Sequence, residues 1–201
     1  MESLTMFPML NTASAPPMTA LWDSIRTTEP PDLCQRSRPG TLSAVEVEAR
    51  VRRACPWMWE EAGGQDRLLA ACLLYHDHHN EAHDKVQDMT DPDGSLVHAL
   101  VHRREPDYWN ANYWYRQAGE HPVYRALALR LESVPKAGAA VGVAERMAMS
   151  GTVDTMELVA GCESVSRRGA DDPVAVFLRR LQDVEFELLV GHLARRIARR
   201  A

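Results

Sequence analysis

The chain lacks the features that mark several large classes of protein. No apolar run approaches the ~20 residues that a membrane-spanning helix needs, and the net charge of -5 disfavours general binding to nucleic acid or to anionic membranes. No Lys or Arg precedes Arg26, so the pattern of a secretory signal peptide is incomplete. The 4 cysteines form no C-x-x-C pair. We therefore expect reduced thiols, a cytoplasmic location, and neither nucleic acid nor membrane as a partner.

Regular strand patterns are missing as well. No segment alternates apolar and polar residues between hairpin turns, and no internal repeat recurs at a fixed period. The spacing of apolar residues predicts an all-α protein, a single irregular helical bundle. The predicted helices cover residues 43–54, 66–89, 95–104, 108–118, 122–134, 139–149, 154–168 and 172 to the C-terminus.

The first forty residues differ from the rest because they hold six of the 12 prolines. We interpret residues 1–40 as an extended arm with one short helix near 20–25, and residues 41–201 as the helical domain. Phe7, Leu10, Leu21 and Trp22 are too apolar for a free tail. The arm should therefore pack on the body of the same chain or on a second copy, which would make a homo-oligomer.

Histidine is the residue that the chain concentrates, with six of its 8 histidines between residues 76 and 102. On a continuous helix, His76, His79 and His83 fall within an arc of about 60°. That arc also carries Cys72 and other apolar residues, which predicts that it is the buried face. His78 points about 240° away from Cys72, so we expect His76 to be more buried than His78.

Two pairs of histidines, His79 with His83 and His98 with His102, have the i,i+4 spacing that lets two imidazoles share one ion. The short turn at residues 91–94 predicts that the two helices pack as antiparallel neighbours. We expect convergence on one pocket of His76, His83, His98 and His102. The candidate ligands for a divalent Zn, Fe or Mn ion are His76, His79, His83, His98 and His102. The alternative is an ion-free network in which the same rings bond to Asn, Tyr, Arg or backbone groups.

Candidate substrate-binding residues follow the second pair. Arg103, Arg104 and Glu105 end a predicted helix beside the histidine face, where they could clamp an anionic substrate or pair with other charges. Trp109 belongs to a stretch with five aromatic residues in eight positions, 108–115. Such a stretch predicts either a groove for a small molecule or peptide, or a helix interface packed with aromatic rings.

Three resemblances involve these segments. The stretch 73–77, which ends in His76-Asp77, resembles the His-Asp step of the HD phosphohydrolases, which implies a divalent ion at that pair. Residues 111–119 resemble one Sel1-type or tetratricopeptide-like helix, which implies helix-hairpin packing. Residues 73–124 resemble a family of uncharacterised helical proteins of bacteria and fungi with no known activity. That likeness rests on His76-Asp77, Glu81-Ala82-His83, His98-Ala99, His102-Arg103-Arg104-Glu105-Pro106-Asp107-Tyr108, Tyr113-Trp114-Tyr115-Arg116 and Gly119-Glu120-His121-Pro122.

Two functional hypotheses stay open at this point. In the first, the histidines form a polar pocket that binds a divalent metal and supports hydrolysis, with a carboxylate or a free histidine as base. In the second, the chain is a helical module for binding proteins or peptides, Trp109 and Trp114 form the binding face, and the histidines are structural.

Overall fold

The computed structural model describes residues 18–56, 65–149 and 151–198. In this part of the chain the fold is all-α, as predicted, and a two-stranded antiparallel hairpin is its one sheet. The helices are α1 (Met18–Ile25), α2 (Ala44–Ala54), α3 (Asp66–Tyr75), α4 (His79–Val86), α5 (Pro92–Arg104), α6 (Tyr108–Ala118), α7 (Pro122–Leu131), α8 (Ala139–Met147), α9 (Thr155–Val165) and α10 (Pro173–Ala198). The strands β1 (Ala148–Met149) and β2 (Thr152–Val153) lie between α8 and α9. None of the described helices is long and apolar enough to cross a membrane.

Local capping sets several helix ends where the sequence predicted them. Ser43 forms a reciprocal capping box with Glu46 at the start of α2. Asp172 Oδ1 accepts the first free N–H groups of α10. Gly119 ends α6 with φ of 65°, a conformation that costs little only for glycine. These ends need no tertiary partner, which is why they are visible in the sequence.

The predicted helix over residues 66–89 is wrong, because the chain breaks it between α3 and α4. Asp77 adopts a left-handed φ of 68°. Its carboxylate accepts a hydrogen bond from the Arg38 backbone N–H at 3.2 Å and from Arg104 Nη2 at 2.7 Å. Two buried arginine contacts outweigh the local preference for a continuous helix. His76 therefore caps α3, His79 opens α4, and the single arc of three histidines does not form.

The segment 91–94 is the first turn of α5, which corrects its prediction as a turn between helices. Asp91 is the N-cap and accepts a hydrogen bond from the Gly94 N–H at 3.2 Å. Pro92 occupies the first helical position, where its missing N–H costs nothing. Ser95, where the sequence predicted the helix to begin, is fully buried inside the helix.

The described part of the N-terminal arm packs on the body of the same chain. Leu21 and Trp22 are buried, as predicted, and α1 contacts α2 and α10. Gln182 of α10 donates hydrogen bonds to the carbonyl groups of Pro31 and Asp32. The predictions for Phe7 and Leu10 concern residues outside the described part of the chain.

Two helices organise the interior. The long helix α10 contacts α1, α3, α7, α8 and α9, and α5 contacts α3, α4 and α6. Because α5 is buried along almost its whole length, its polar side chains must find partners inside the protein. The histidines on α4 and α5 therefore meet in a partly dry environment.

Candidate metal centre

Three histidines meet where α4 packs on α5. His83 lies on α4, and His98 and His102 lie on consecutive turns of α5. His98 Nε2 is 3.0 Å from His83 Nε2 and 3.0 Å from His102 Nε2. One ligand atom of each residue lies within 4.8 Å of the other two. The predicted convergence is thus confirmed for these three rings.

The two Nε2 contacts of His98 cannot both be hydrogen bonds. An imidazole nitrogen carries either one proton or one lone pair, so it serves one partner at a time. His98 Nε2 faces two other Nε2 atoms at 3.0 Å, and protons alone leave at least one of these contacts unsatisfied. One cation accepts a lone pair from all three nitrogens. Zn–N bonds of ~2.0–2.1 Å in a tetrahedral site separate ligand nitrogens by about 3.3 Å, close to this spacing.

Neighbouring side chains fix the planes of the rings. Trp114 of α6 stacks on His98, with ring centroids 4.1 Å apart and planes inclined by 26°. His98 stacks in turn on His102 at 4.7 Å and 23°. His98 is 3% exposed, so its ring has little room to rotate. The three nitrogens are therefore held together by packing.

A carboxylate supports the second side of His102. Glu105 Oε2 lies 3.1 Å from His102 Nδ1, a charge contact without the alignment of a hydrogen bond, and Asp107 Oδ2 lies 3.9 Å from the same nitrogen. A carboxylate here favours a proton on Nδ1 and leaves the Nε2 lone pair for an ion. Burial raises the pKa of Glu105, but the contact with His102 and the nearby imidazoles outweigh burial, so the net pKa lies below its ordinary value. Glu105 is therefore an ionised partner at neutral pH.

Burial keeps His98 in the form that binds metals. Removal from water, together with the nearby His102 and His83, lowers the pKa of His98 to about 4. At neutral pH its ring is uncharged, and the neutral imidazole is the metal-binding form.

The other two predicted ligands, His76 and His79, do not belong to this group. His76 lies at the end of α3, before the break that separates α3 from α4. Its Nδ1 accepts a hydrogen bond from the Leu42 N–H at 3.1 Å. Its predicted convergence with the cluster is therefore wrong, although it is more buried than His78, as expected. His79 is 6% exposed, and neither ring nitrogen has a partner among the described residues. It lies outside the group of three.

The His-Asp pair is engaged in structural contacts. The Asp77 carboxylate pairs with Arg38 and Arg104, and its side chain is 3% exposed. Within the described residues, neither His76 nor Asp77 belongs to a group that could hold an ion. The ion that the HD phosphohydrolase resemblance implies has no support in this geometry.

Arg103 and Arg104 lie in the core, which argues against the predicted substrate clamp. Their side chains are 1% and 0% exposed. Arg103 pairs with Glu185 of α10 and donates to the Tyr115 hydroxyl at 2.7 Å. Arg104 donates to Asp77 and to backbone carbonyls. Each guanidinium already has internal partners, so a ligand in solution cannot reach either one in this conformation.

The aromatic stretch divides between packing and exposure. Ala111, Tyr115 and Ala118 are buried, which confirms the predicted packing face of α6. Trp114 covers His98, whereas Trp109 is 77% exposed. Of the predicted substrate-binding residues, Glu105 therefore lies beside the three-histidine group and Trp109 lies on the surface.

A second polar cluster was not found from the sequence. Asp93 Oδ1 lies 2.9 Å from His121 Nε2 and 2.8 Å from His192 Nε2. These residues come from the first turn of α5, the N-cap of α7 and the C-terminal third of α10. The sequence predicted a helix from residue 122, but no local pattern links His121 to His192.

Comparison with family models, with curated proteins and with solved structures gave no significant match. The functional argument therefore rests on the residues of this chain.

Proposed function

We propose that this protein binds one divalent metal ion through His83, His98 and His102. The observation that supports the proposal is the pair of 3.0 Å Nε2 contacts around His98, which protons cannot satisfy together. The stacked Trp114 and the carboxylate of Glu105 support the same arrangement, because they hold ring planes and tautomer.

The donor set favours Zn²⁺ or Fe²⁺ over Mn²⁺. All three ligand atoms are imidazole nitrogens, and imidazole suits zinc and iron, whereas manganese prefers oxygen ligands. No thiolate takes part, since the free cysteines Cys55, Cys72 and Cys162 are buried elsewhere.

The reaction class that we propose is metal-assisted hydrolysis. Three protein ligands leave a fourth position for water, which is the arrangement of catalytic zinc sites. A zinc ion held by His83, His98 and His102 would activate water as a nucleophile near neutral pH.

The test is elemental analysis of protein purified without a histidine tag. We expect about one Zn or Fe per chain in the wild type and nearly none in His83→Ala/His102→Ala. The matched control is His192→Gln, which removes a histidine from the second cluster and should keep the ion. Wild-type protein that stays free of metal after exposure to Zn²⁺ and Fe²⁺ would contradict the proposal.

A second candidate function, binding of a peptide, is favoured by one observation. Trp109 is 77% exposed and Tyr113 is 44% exposed, and their i,i+4 spacing places them on one face of α6. Aromatic side chains on a surface are frequent anchors in interfaces. A peptide array probed with the wild type and with Trp109→Ala tests this role. We expect some peptides to bind the wild type and to lose that binding with Trp109→Ala.

A further inference from the structure

His79, near the candidate centre, has two buried polar atoms without hydrogen-bond partners among the described residues. It is 6% exposed, and the two atoms are its Nδ1 and Nε2. Burial, followed by the charge of Arg104, lowers the pKa of His79 to about 4. The ring is therefore neutral, with one donor and one acceptor. A buried polar group without a partner is destabilising, which favours a ligand at this place.

The position of His79 relates it to the three-histidine group. It lies one turn before His83 on α4, where Cβ atoms are about 5–6 Å apart. Because α4 and α5 are consecutive and joined by a short connection, they pack antiparallel. The turn of α4 that precedes His83 therefore lies beside the end of α5 that follows His102, where Glu105 lies. The electrostatic interaction between Glu105 and His79 agrees with this placement.

The two sides of the group differ in polarity. Towards the start of α4 lie His79 and Glu105, which are polar. Towards its end lies Val86, which is fully buried and apolar. A water molecule or anion on the fourth position of an ion needs polar neighbours, so that position belongs on the side of His79.

We propose that His79 hydrogen-bonds the exogenous ligand of the metal ion, which is a water molecule or a small monovalent anion that replaces it. This inference rests on the proposed metal centre. His79 is not itself a fourth ligand, since it lies outside the group whose ligand atoms converge. It positions the ligand by donating to it or accepting from it, while the three other histidines hold the ion.

The experiment measures azide binding to the Co²⁺-loaded protein through its visible spectrum. His79→Phe removes both ring nitrogens and keeps a similar shape, and His79→Gln keeps a donor and an acceptor. Both variants should retain one Co²⁺ per chain. Loss of one hydrogen bond should raise the azide Kd of His79→Phe about 2- to 10-fold, and His79→Gln should recover part of that loss.

The matched control is His76→Gln. His76 is also buried and has one ring nitrogen without a partner, but it lies outside the cluster. Its azide affinity should equal that of the wild type. Circular dichroism and thermal melting establish that each variant is folded, and His79→Gln carries the test if His79→Phe does not fold.

The outcomes separate this inference from the proposed function. Folded His79 variants that lose Co²⁺ would make His79 a ligand, which overturns the inference and leaves the metal centre standing. Unchanged azide affinity in His79→Phe, or no azide binding by the wild type, also overturns it. A wild type that takes up no metal refutes the proposed function and, with it, the role of His79.

Discussion

Two clusters in this protein each hold three polar side chains whose ligand atoms lie within 4.8 Å of one another. The clusters differ in the atoms that the histidine nitrogens face. In the first, Nε2 of His98 faces the Nε2 atoms of His83 and His102. In the second, Nε2 of His121 and Nε2 of His192 both face the carboxylate of Asp93. A carboxylate oxygen accepts from two donors, whereas a ring nitrogen does not.

The tautomer of His121 shows that its contact with Asp93 is satisfied without an ion. The Val123 N–H donates to His121 Nδ1 at 3.3 Å, so that nitrogen carries a lone pair. The proton of the neutral ring is therefore on Nε2, where it is donated to Asp93 at 2.9 Å. Proximity alone does not distinguish a metal site from a hydrogen-bonded network, but a count of donors and acceptors does.

The largest expected effect on stability is in the second cluster. Asp93→Ala leaves two histidine donors without their acceptor, at about 1–3 kcal/mol for each buried group. We expect the free energy of unfolding, measured with urea, to fall by about 2–6 kcal/mol. Asp93→Asn keeps an acceptor oxygen and should lose less. Metal content should not change in either variant, and a parallel loss of the ion would show that the two clusters are not independent.

The next effect concerns the support of the first cluster. Glu105→Gln removes the charge beside His102 Nδ1, and loss of such a carboxylate typically weakens metal binding 10- to 100-fold. Competition with a chromogenic chelator measures the Kd for Zn²⁺. Glu120→Gln, which changes an exposed carboxylate paired with Arg125, is the control. Equal Kd values for the wild type and Glu105→Gln would mean that the carboxylate does not position His102.

A buried histidine outside both clusters predicts acid sensitivity. Burial, then the charge of Arg38, lowers the pKa of His76 to about 4. Between an unfolded pKa of about 6.5 and this folded value, the unfolded state binds more protons. The contribution of the neutral His76 ring to stability is therefore fully present above about pH 6.5 and is lost as pH falls towards 4. Urea unfolding of the metal-free protein at several pH values measures this effect. As pH falls from about 6.5 to 4, the free energy of unfolding should fall less for His76→Gln than for the wild type. An identical dependence on pH in the two proteins would contradict this account.

The smallest effect is expected at Trp109, which is 77% exposed. Trp109→Ala should change the free energy of unfolding by less than about 0.5 kcal/mol, because exposed side chains contribute little to stability. Its Zn²⁺ affinity should equal that of the wild type. A larger loss in either measurement would mean that this ring supports the metal centre rather than a separate surface.

Features of the fold that depend on near neighbours were predictable from the sequence. The caps at Ser43 and Asp172 and the end of α6 at Gly119 are set within a few residues. The i,i+4 spacing of His98 and His102 likewise needs only a helix. For these features the local pattern and the final structure agree.

Features that depend on distant partners were not predictable. The break at Asp77 needs Arg38, which is 39 residues away. Arg103 was interpreted with its adjacent charges, yet its partner Glu185 is 82 residues away. His192 meets Asp93 across 99 residues. In each case a buried charge or donor is satisfied by a group that the helix pattern cannot identify.

The most direct test of the metal centre is X-ray absorption spectroscopy of the zinc-loaded protein. The account predicts three imidazole nitrogens at ~2.0–2.1 Å and one oxygen ligand such as water, with this shell lost in His98→Ala and retained in His192→Gln. A shell without three imidazoles, or one that persists unchanged in His98→Ala, would contradict the assignment of His83, His98 and His102.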